Sequence, residues 1–195
     1  MSSVPKTRFT AAEYLARERA ANYKSEFFGG EIFAMAGASP RHNAIAANLL
    51  GVLYGALAGK DCPAFGSDQR VKVAASGLYT YPDISIFCGP REFDEAVGDT
   101  LLNPIAIIEV LSDSTESYDR GKKFDHYRRV ESLVEYILVS QHAPQVERFA
   151  RRSDGDWLLT IAHGLKSEFE LSATGSRIEL ANIYRHVTFE SNTSG

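Results

Sequence analysis

The chain has 195 residues, 44% hydrophobic and 24% charged, the balance of an ordinary soluble globular protein long enough to bury a substantial core without a disulfide framework or structural metal. With 25 acidic against 21 basic residues the net charge is −4, which excludes a polycation held on nucleic acid by bulk electrostatics and leaves only local contact. Cys62 and Cys88 belong to no CxxC pair, "MSSVPKTRFT" lacks a leader's apolar core, and no stretch approaches the about 18 apolar residues of a membrane span, so a cytoplasmic chain is expected.

In "FTAAEYLARERA", Thr10 and Glu13 form a capping box and Phe9 and Tyr14 a hydrophobic staple, predicting a short first helix. "SEFFGGEIFAMAG" reads as two strands joined by Gly29-Gly30, a tight hairpin of primed type. "SPRHNAIAANLLGVLYGALAG" opens with Ser39 as N-cap and Pro40 at N1, and spaces Ile45, Leu49, Val52, Leu53 and Ala56 as one helical face. "DQRVKVA", "YPDISIF" and "PIAIIEVLS" then read as strands, "DRGKKFDHYRRV" as an amphipathic helix and "VEYILVS" as a strand, giving the order α-β-β-β-α-β. "QVERFARR" and "DWLLTIA" add two strands around Asp154-Gly155 before a polar end. The expected organisation is one α/β domain: helix and hairpin over 1–38, a core over 39–140 and further strands over 141–190.

Glu109, within "IAIIEVL", occupies a run that reads as a strand buried on both faces, where an unpaired carboxylate is heavily desolvated. Its partner must be a base, a proton or a metal ion. Period-two alternation puts Asp83 with Ser85 and Phe87, and Glu109 with Ile107 and Leu111. If those strands are neighbours the carboxylates converge, and such oxygen ligands suit Mg²⁺ or Mn²⁺. Asp119, Lys123 and Tyr127 follow at i, i+4 spacing as one helical stripe, with Lys122, His126 and Arg129 on another face. Taken singly, Asp83 reads as a strand start, Glu109 as half of an ion pair, Lys123 and Tyr127 as a solvated helix face, and His42 as a core histidine. No HxxxH, GxxxxGK[ST], GxGxxG or GxSxG occurs, which removes the common zinc, nucleotide-binding and serine-hydrolase readings.

The α-β-β-β-α-β order, with "PD" on one strand and a glutamate on the next, resembles the PD-(D/E)XK restriction-endonuclease-like fold. "EFFGGEIFAMAGASPRHN", "YPDISIF", "IIEVLSDSTESYDRGKKFDHYRRVESLVEYILV" and, more weakly, "LANIY" are similar to the Uma-two endonuclease-like family. The resemblance implies a mixed central sheet flanked by helices and a Mg²⁺-dependent (or Mn²⁺-dependent) endonuclease acting on DNA. It implies Asp83, Glu109 and the Val110 backbone carbonyl as metal ligands and Lys123 as the catalytic lysine, with His42, Glu26, Glu31, Asp119 and Tyr127 in support. The superfamily places its lysine two residues beyond the acid. That position is Leu111 here, and Lys123 lies 14 residues on (123 − 109), a migrated-lysine arrangement.

A non-cleaving nucleic-acid or protein binding module on the same fold is the alternative, and a carboxylate-pair glycosidase a third reading. Lys72, Lys122, Arg128, Arg151 and Arg152 are candidate phosphate contacts. The apolar hairpin face with Phe28, Phe33 and Met35 is a candidate homodimer interface.

Overall fold

The computed structural model describes residues 8–94 and 98–189; residues 1–7, part of the stretch read as lacking a leader, and the polar end from 190 lie outside them. Helix α1 (Ala11–Ala20) begins where its capping box predicts, the Thr10 hydroxyl accepting the Glu13 N–H and the Glu13 carboxylate accepting the Thr10 N–H at 2.7 Å. Phe9 packs with Tyr14, Leu15, Phe27 and Tyr79, which closes the staple. Strands β1 (Ser25–Phe28) and β2 (Glu31–Ala34) pair antiparallel. Gly29 and Gly30 make the turn at φ 59° and 86°, values glycine adopts without steric cost. Helix α2 (Pro40–Ala56) starts at its Ser39 cap and buries Ile45, Leu49 and Leu53.

Six strands follow: β3 (Ala64–Gly66), β4 (Arg70–Val73), β5 (Leu78–Thr80), β6 (Ile84–Ile86), β7 (Thr100–Leu101) and β8 (Ala106–Val110). A helical segment comes next, built from α3 (Glu116–Tyr118), a π-helical turn over Asp119–Lys123 and α4 (Phe124–Tyr127). Strands β9 (Glu135–Val139), β10 (Gln145–Arg151), β11 (Trp157–His163), β12 (Glu168–Leu171) and β13 (Ser176–Glu179) and helix α5 (Leu180–Ile183) complete the described chain. No helix among the described residues is long and apolar enough to cross a membrane.

The central sheet runs β11-β10-β9-β8-β6-β3. It is mixed: β8 and β9 are parallel, and the other pairs antiparallel. One face packs Ile84, Ile86, Ile108 and Val110 under Ile45, Leu49 and Leu53 of α2. The other packs Ile107, Leu111, Tyr136 and Leu138 against Tyr127 and Val130. Strand β8 is therefore buried on both faces along its length, as its unbroken apolar run predicts. A second sheet, β2-β1-β5-β4-β7, carries the hairpin, and β12-β13 stand apart as a two-stranded ribbon.

Three expectations need correction. The order α-β-β-β-α-β is present, but the first strand of the central sheet is β3, not the "RVKV" of β4, which pairs with β5 and β7 in the second sheet. Three residues ending in glycine leave too short a period for a strand signal, whereas RVKV alternates cleanly. The single amphipathic helix is a composite around a π turn. The tail folds further than read, with β12 and β13 closed over Phe169, Leu171 and Ile178.

Cys62 and Cys88 form a disulfide. The antiparallel register pairs Ala64 with Ile86, so two residues further out Cys62 faces Cys88 across the same strand pair. Sequence separation hid this proximity.

Candidate active site

The register of β6 on β8 pairs Ser85 with Ile107. Carried two residues further, it sets Asp83 opposite Glu109 on one face, the convergence that period-two spacing made conditional on adjacency. The two side chains interlock through the backbone. Glu109 Oε2 accepts the Asp83 N–H at 3.2 Å, and Asp83 Oδ2 accepts the Val110 N–H at 2.8 Å. His42, in the first turn of α2, brings Nε2 to 3.1 Å from the same Asp83 oxygen, while its Nδ1 is buried without a partner among the described residues. Burial pulls the His42 pKa down, but the Asp83 hydrogen bond and charge, with the Val110 carbonyl adding, leave it raised.

Glu109 is only 3% exposed and Lys123 5%. The Lys123 ammonium lies 2.8 Å from Glu109 Oε1, 3.4 Å from Asp119 Oδ1 and 3.6 Å from Glu26 Oε1. The Tyr127 hydroxyl donates to Glu109 Oε1 at 2.9 Å. Hence the predicted stripe of Asp119, Lys123 and Tyr127 does face the carboxylates, and Lys122 is exposed. Burial pushes the Glu109 carboxyl up to about 8, with Lys123 opposing and Asp83 and Asp119 adding to the rise. Asp119 is raised mainly by burial. Burial works against the Lys123 ammonium, but Glu109, Glu26 and Asp119 hold it well above the usual lysine range.

These groups line a cleft of about 540 Å³ between the two sheets' elements, walled by residues 33–38, His42 and Ser39, the Ser112–Thr115 loop, Tyr118 and Gln141. Glu26 enters from β1, held by the Thr80 and Tyr118 hydroxyls. Glu31 does not: it sits at the start of β2 opposite Phe28, outside the cleft lining. On the hairpin face read as a dimer contact, Phe33 and Met35 line the cleft, and Phe28, still partly exposed, packs edge-on against His126. Nor do the candidate phosphate contacts line it. Lys72 pairs with Asp94, Arg128 with Asp125 and Arg152 with Asp154, while Arg151 donates to the backbone carbonyls of Arg128, Glu131 and Val130.

The Uma2 family model, described as "Putative restriction endonuclease", matches residues 11–181. The chain belongs to this family. Two Synechocystis relatives named as uncharacterized proteins are similar over nearly their whole length. One, slr1290, is 35% identical over 187 residues, 96% of this chain and 97% of its own. The other, sll1609, is 40% identical over 163 residues, 84% of this chain and 92% of its own. A crystal structure from Anabaena variabilis, described as a putative nuclease belonging to DUF820, superposes with a TM-score of 0.71 at 18% identity, covering 90% of this chain and 97% of that one. The fold is restriction-endonuclease-like, the mixed central sheet with flanking helices that the sequence resemblance implies.

Metal use by a Uma2 chain can be tested against the donor set. Asp83 and Glu109 present hard carboxylate oxygens from adjacent strands, and the burial that raises the Glu109 pKa is a charging cost that a cation would offset. Among the described residues no group of three or more His, Cys, Asp or Glu gathers as a self-sufficient metal cage. Two carboxylates leave further positions of a hard divalent cation to water, a donor set that such an ion accepts.

Sequence reasoning missed Ser39, Tyr118 and Gln141 as cleft residues. For Gln141 a signal existed. It follows β9, the parallel neighbour of β8, and ligands of open sheets collect beyond the carboxyl ends of parallel strands.

Proposed function

We propose that this chain is a Mg²⁺- or Mn²⁺-dependent endonuclease that hydrolyses DNA phosphodiester bonds, acting in the cytoplasm as a single-domain protein that pairs into a homodimer. The observation that carries it is the convergence of Asp83, Glu109 and Lys123 at one end of β6 and β8, within a cleft. The family's description as "Putative restriction endonuclease" and the structural neighbour's as a "putative nuclease" support the substrate class.

Asp83, Glu109 and the Val110 carbonyl would hold the cation, which supplies an activated water and offsets charge on the phosphate. The chain's own residues do the rest. His42 and the Val110 amide fix the Asp83 carboxylate, and Tyr127 fixes that of Glu109. Lys123, kept charged by its three acidic neighbours, would offset the negative charge that grows during in-line attack. A non-cleaving binding module is the second reading, favoured by the surplus of carboxylates over cations in the cleft lining.

The test is calorimetric Mn²⁺ titration beside cleavage of plasmid and single-stranded DNA with and without EDTA. The wild type should bind Mn²⁺ and cut only with metal, while Glu109→Gln should lose both and still fold. Unchanged Mn²⁺ affinity in Glu109→Gln overturns the site; metal-independent DNA binding without cutting selects the second reading. Sedimentation of the same preparation reads the homodimer.

A further inference from the structure

We propose that the cleft seats an unpaired nucleobase beside the scissile phosphate, stacked on Phe33 and hydrogen-bonded by the Gln141 amide, so that single-stranded or locally unpaired DNA is the preferred substrate. The inference rests on the nuclease reading above and deepens it.

Gln141 is 7% exposed yet lines the cleft. Its Oε1 accepts the Ser39 hydroxyl at 3.0 Å, and Ser39 Oγ accepts the His42 N–H at 3.1 Å. The Ser39 hydrogen is thus committed to Gln141, which holds the amide oxygen on Ser39. The amide nitrogen has no hydrogen-bond partner among the described residues, so two donors remain for whatever enters the cleft. That nitrogen is open to the cleft, so its two hydrogens face whatever occupies it. Through Ser39 and His42 the same chain of bonds reaches Asp83, which ties the free donors to the proposed metal ligands.

Phe33 supplies the second, independent observation. The hairpin register pairs Phe33 with Glu26, so both side chains stand on one face as cross-strand neighbours. Glu26 contacts Lys123, and Phe33 and Lys123 line the same cleft. The ring is 49% exposed and has no aromatic partner among the described residues. It opens a wall, residues 33–38, that reads Phe-Ala-Met-Ala-Gly-Ala and carries no charge.

The electrostatics favour a base over a phosphate at this wall. Glu26, Asp83, Glu109, Asp113 and Asp119 line the cleft against the single lysine Lys123 and His42, so backbone phosphates gain little there beyond the proposed metal. An aromatic face with an amide donor is the chemistry that holds a splayed-out base. A base inside a duplex is stacked and paired, and must leave the stack to reach either group.

The test measures KM and kcat of the full-length chain with Mn²⁺ on a fluorescent single-stranded oligonucleotide and on its fully paired duplex. The wild type should show the lower KM on the single strand. Phe33→Ala and Gln141→Ala should each raise that KM about tenfold, the scale of one lost stacking contact, with kcat on the single strand within a factor of two. The single-strand preference should fall towards one, and Phe33→Tyr should restore it. Unchanged KM in both alanine variants, or equal losses on single strand and duplex, overturns the proposal while leaving the nuclease reading intact. A wild type that cuts no DNA with Mn²⁺, or a Glu109→Gln variant as active as wild type, overturns the nuclease reading and this proposal with it.

Discussion

Glu109 poses the sharpest question at the scale of single residues, because its environment is built against its own charge. Burial lifts its carboxyl to about 8, Lys123 draws it back, and Asp83 and Asp119 add to the rise. A carboxyl raised in the fold binds its proton where the unfolded chain has already released it. Its contribution to stability is therefore full below the ordinary glutamate range and is lost as pH climbs through about 8. Without divalent metal, the wild type should melt at progressively lower temperature as pH rises from 5 to 8.5. Glu109→Gln, neutral throughout, should flatten this dependence. Parallel pH profiles for the two proteins would show that Glu109 titrates normally. The convergence of Glu109 with Asp83 was legible in the sequence, because alternation along two apolar strands fixes faces once the strands are neighbours. The register itself was not, since nothing local to "PDISIF" names its partner strand.

Among the elements, the π turn over Asp119–Lys123 explains both what the sequence disclosed and what it concealed. The i, i+4 spacing of Asp119, Lys123 and Tyr127 put them on one stripe under an α-helical assumption, and the stripe survives the π turn, with Asp119 and Lys123 3.4 Å apart. The anchor of that turn was not legible, because Arg120 is held from a distant strand. Its guanidinium grips Glu147 of β10 through two nitrogens at 2.5 and 2.9 Å and Glu116 at 2.7 Å. Bidentate pairs of this kind fix orientation as well as charge. Arg120→Ala should therefore cut single-turnover cleavage about tenfold by loosening the element that carries Lys123, while Mn²⁺ affinity from Asp83 and Glu109 stays at the wild-type value. Lys123→Ala should cost something like 10²- to 10³-fold, the scale of one lost electrostatic stabiliser. The exposed Lys122→Ala serves as control and should leave the single-turnover rate within twofold. An Arg120→Ala enzyme with wild-type turnover would show that the π turn holds its shape without that anchor. The missed strand β3 belongs with these cases: three residues between Pro63 and Ser67 have too little pattern to read, and only α2 and β6 packed around them define a strand.

At the scale of the whole molecule, the Cys62–Cys88 bond decides how firmly the core of α2, β3 and β6 is held. The cysteines are 26 residues apart in sequence, and closing a loop of that length in the unfolded chain is worth on the order of 3 kcal/mol in the chain-entropy account. For a chain of this size each kcal/mol moves the melting temperature by roughly 2–4 °C, so Cys62→Ser with Cys88→Ser should melt about 6–12 °C below the oxidised wild type. Wild type treated with a thiol reductant should fall to the same value. The proposed site lies at the opposite end of β6, beside Asp83, so reduction should leave Mn²⁺ affinity unchanged at 25 °C. This separates stability from site geometry: a reducing cytoplasm opposes such bonds, and a chain working there would run on the reduced form with its site assembled and its thermal margin narrowed. Thiol trapping on protein drawn directly from cells reads which form is present. Two reactive thiols in the air-oxidised protein, or a melting temperature indifferent to reductant, would show that strand pairing between β3 and β6 holds this core without the bond.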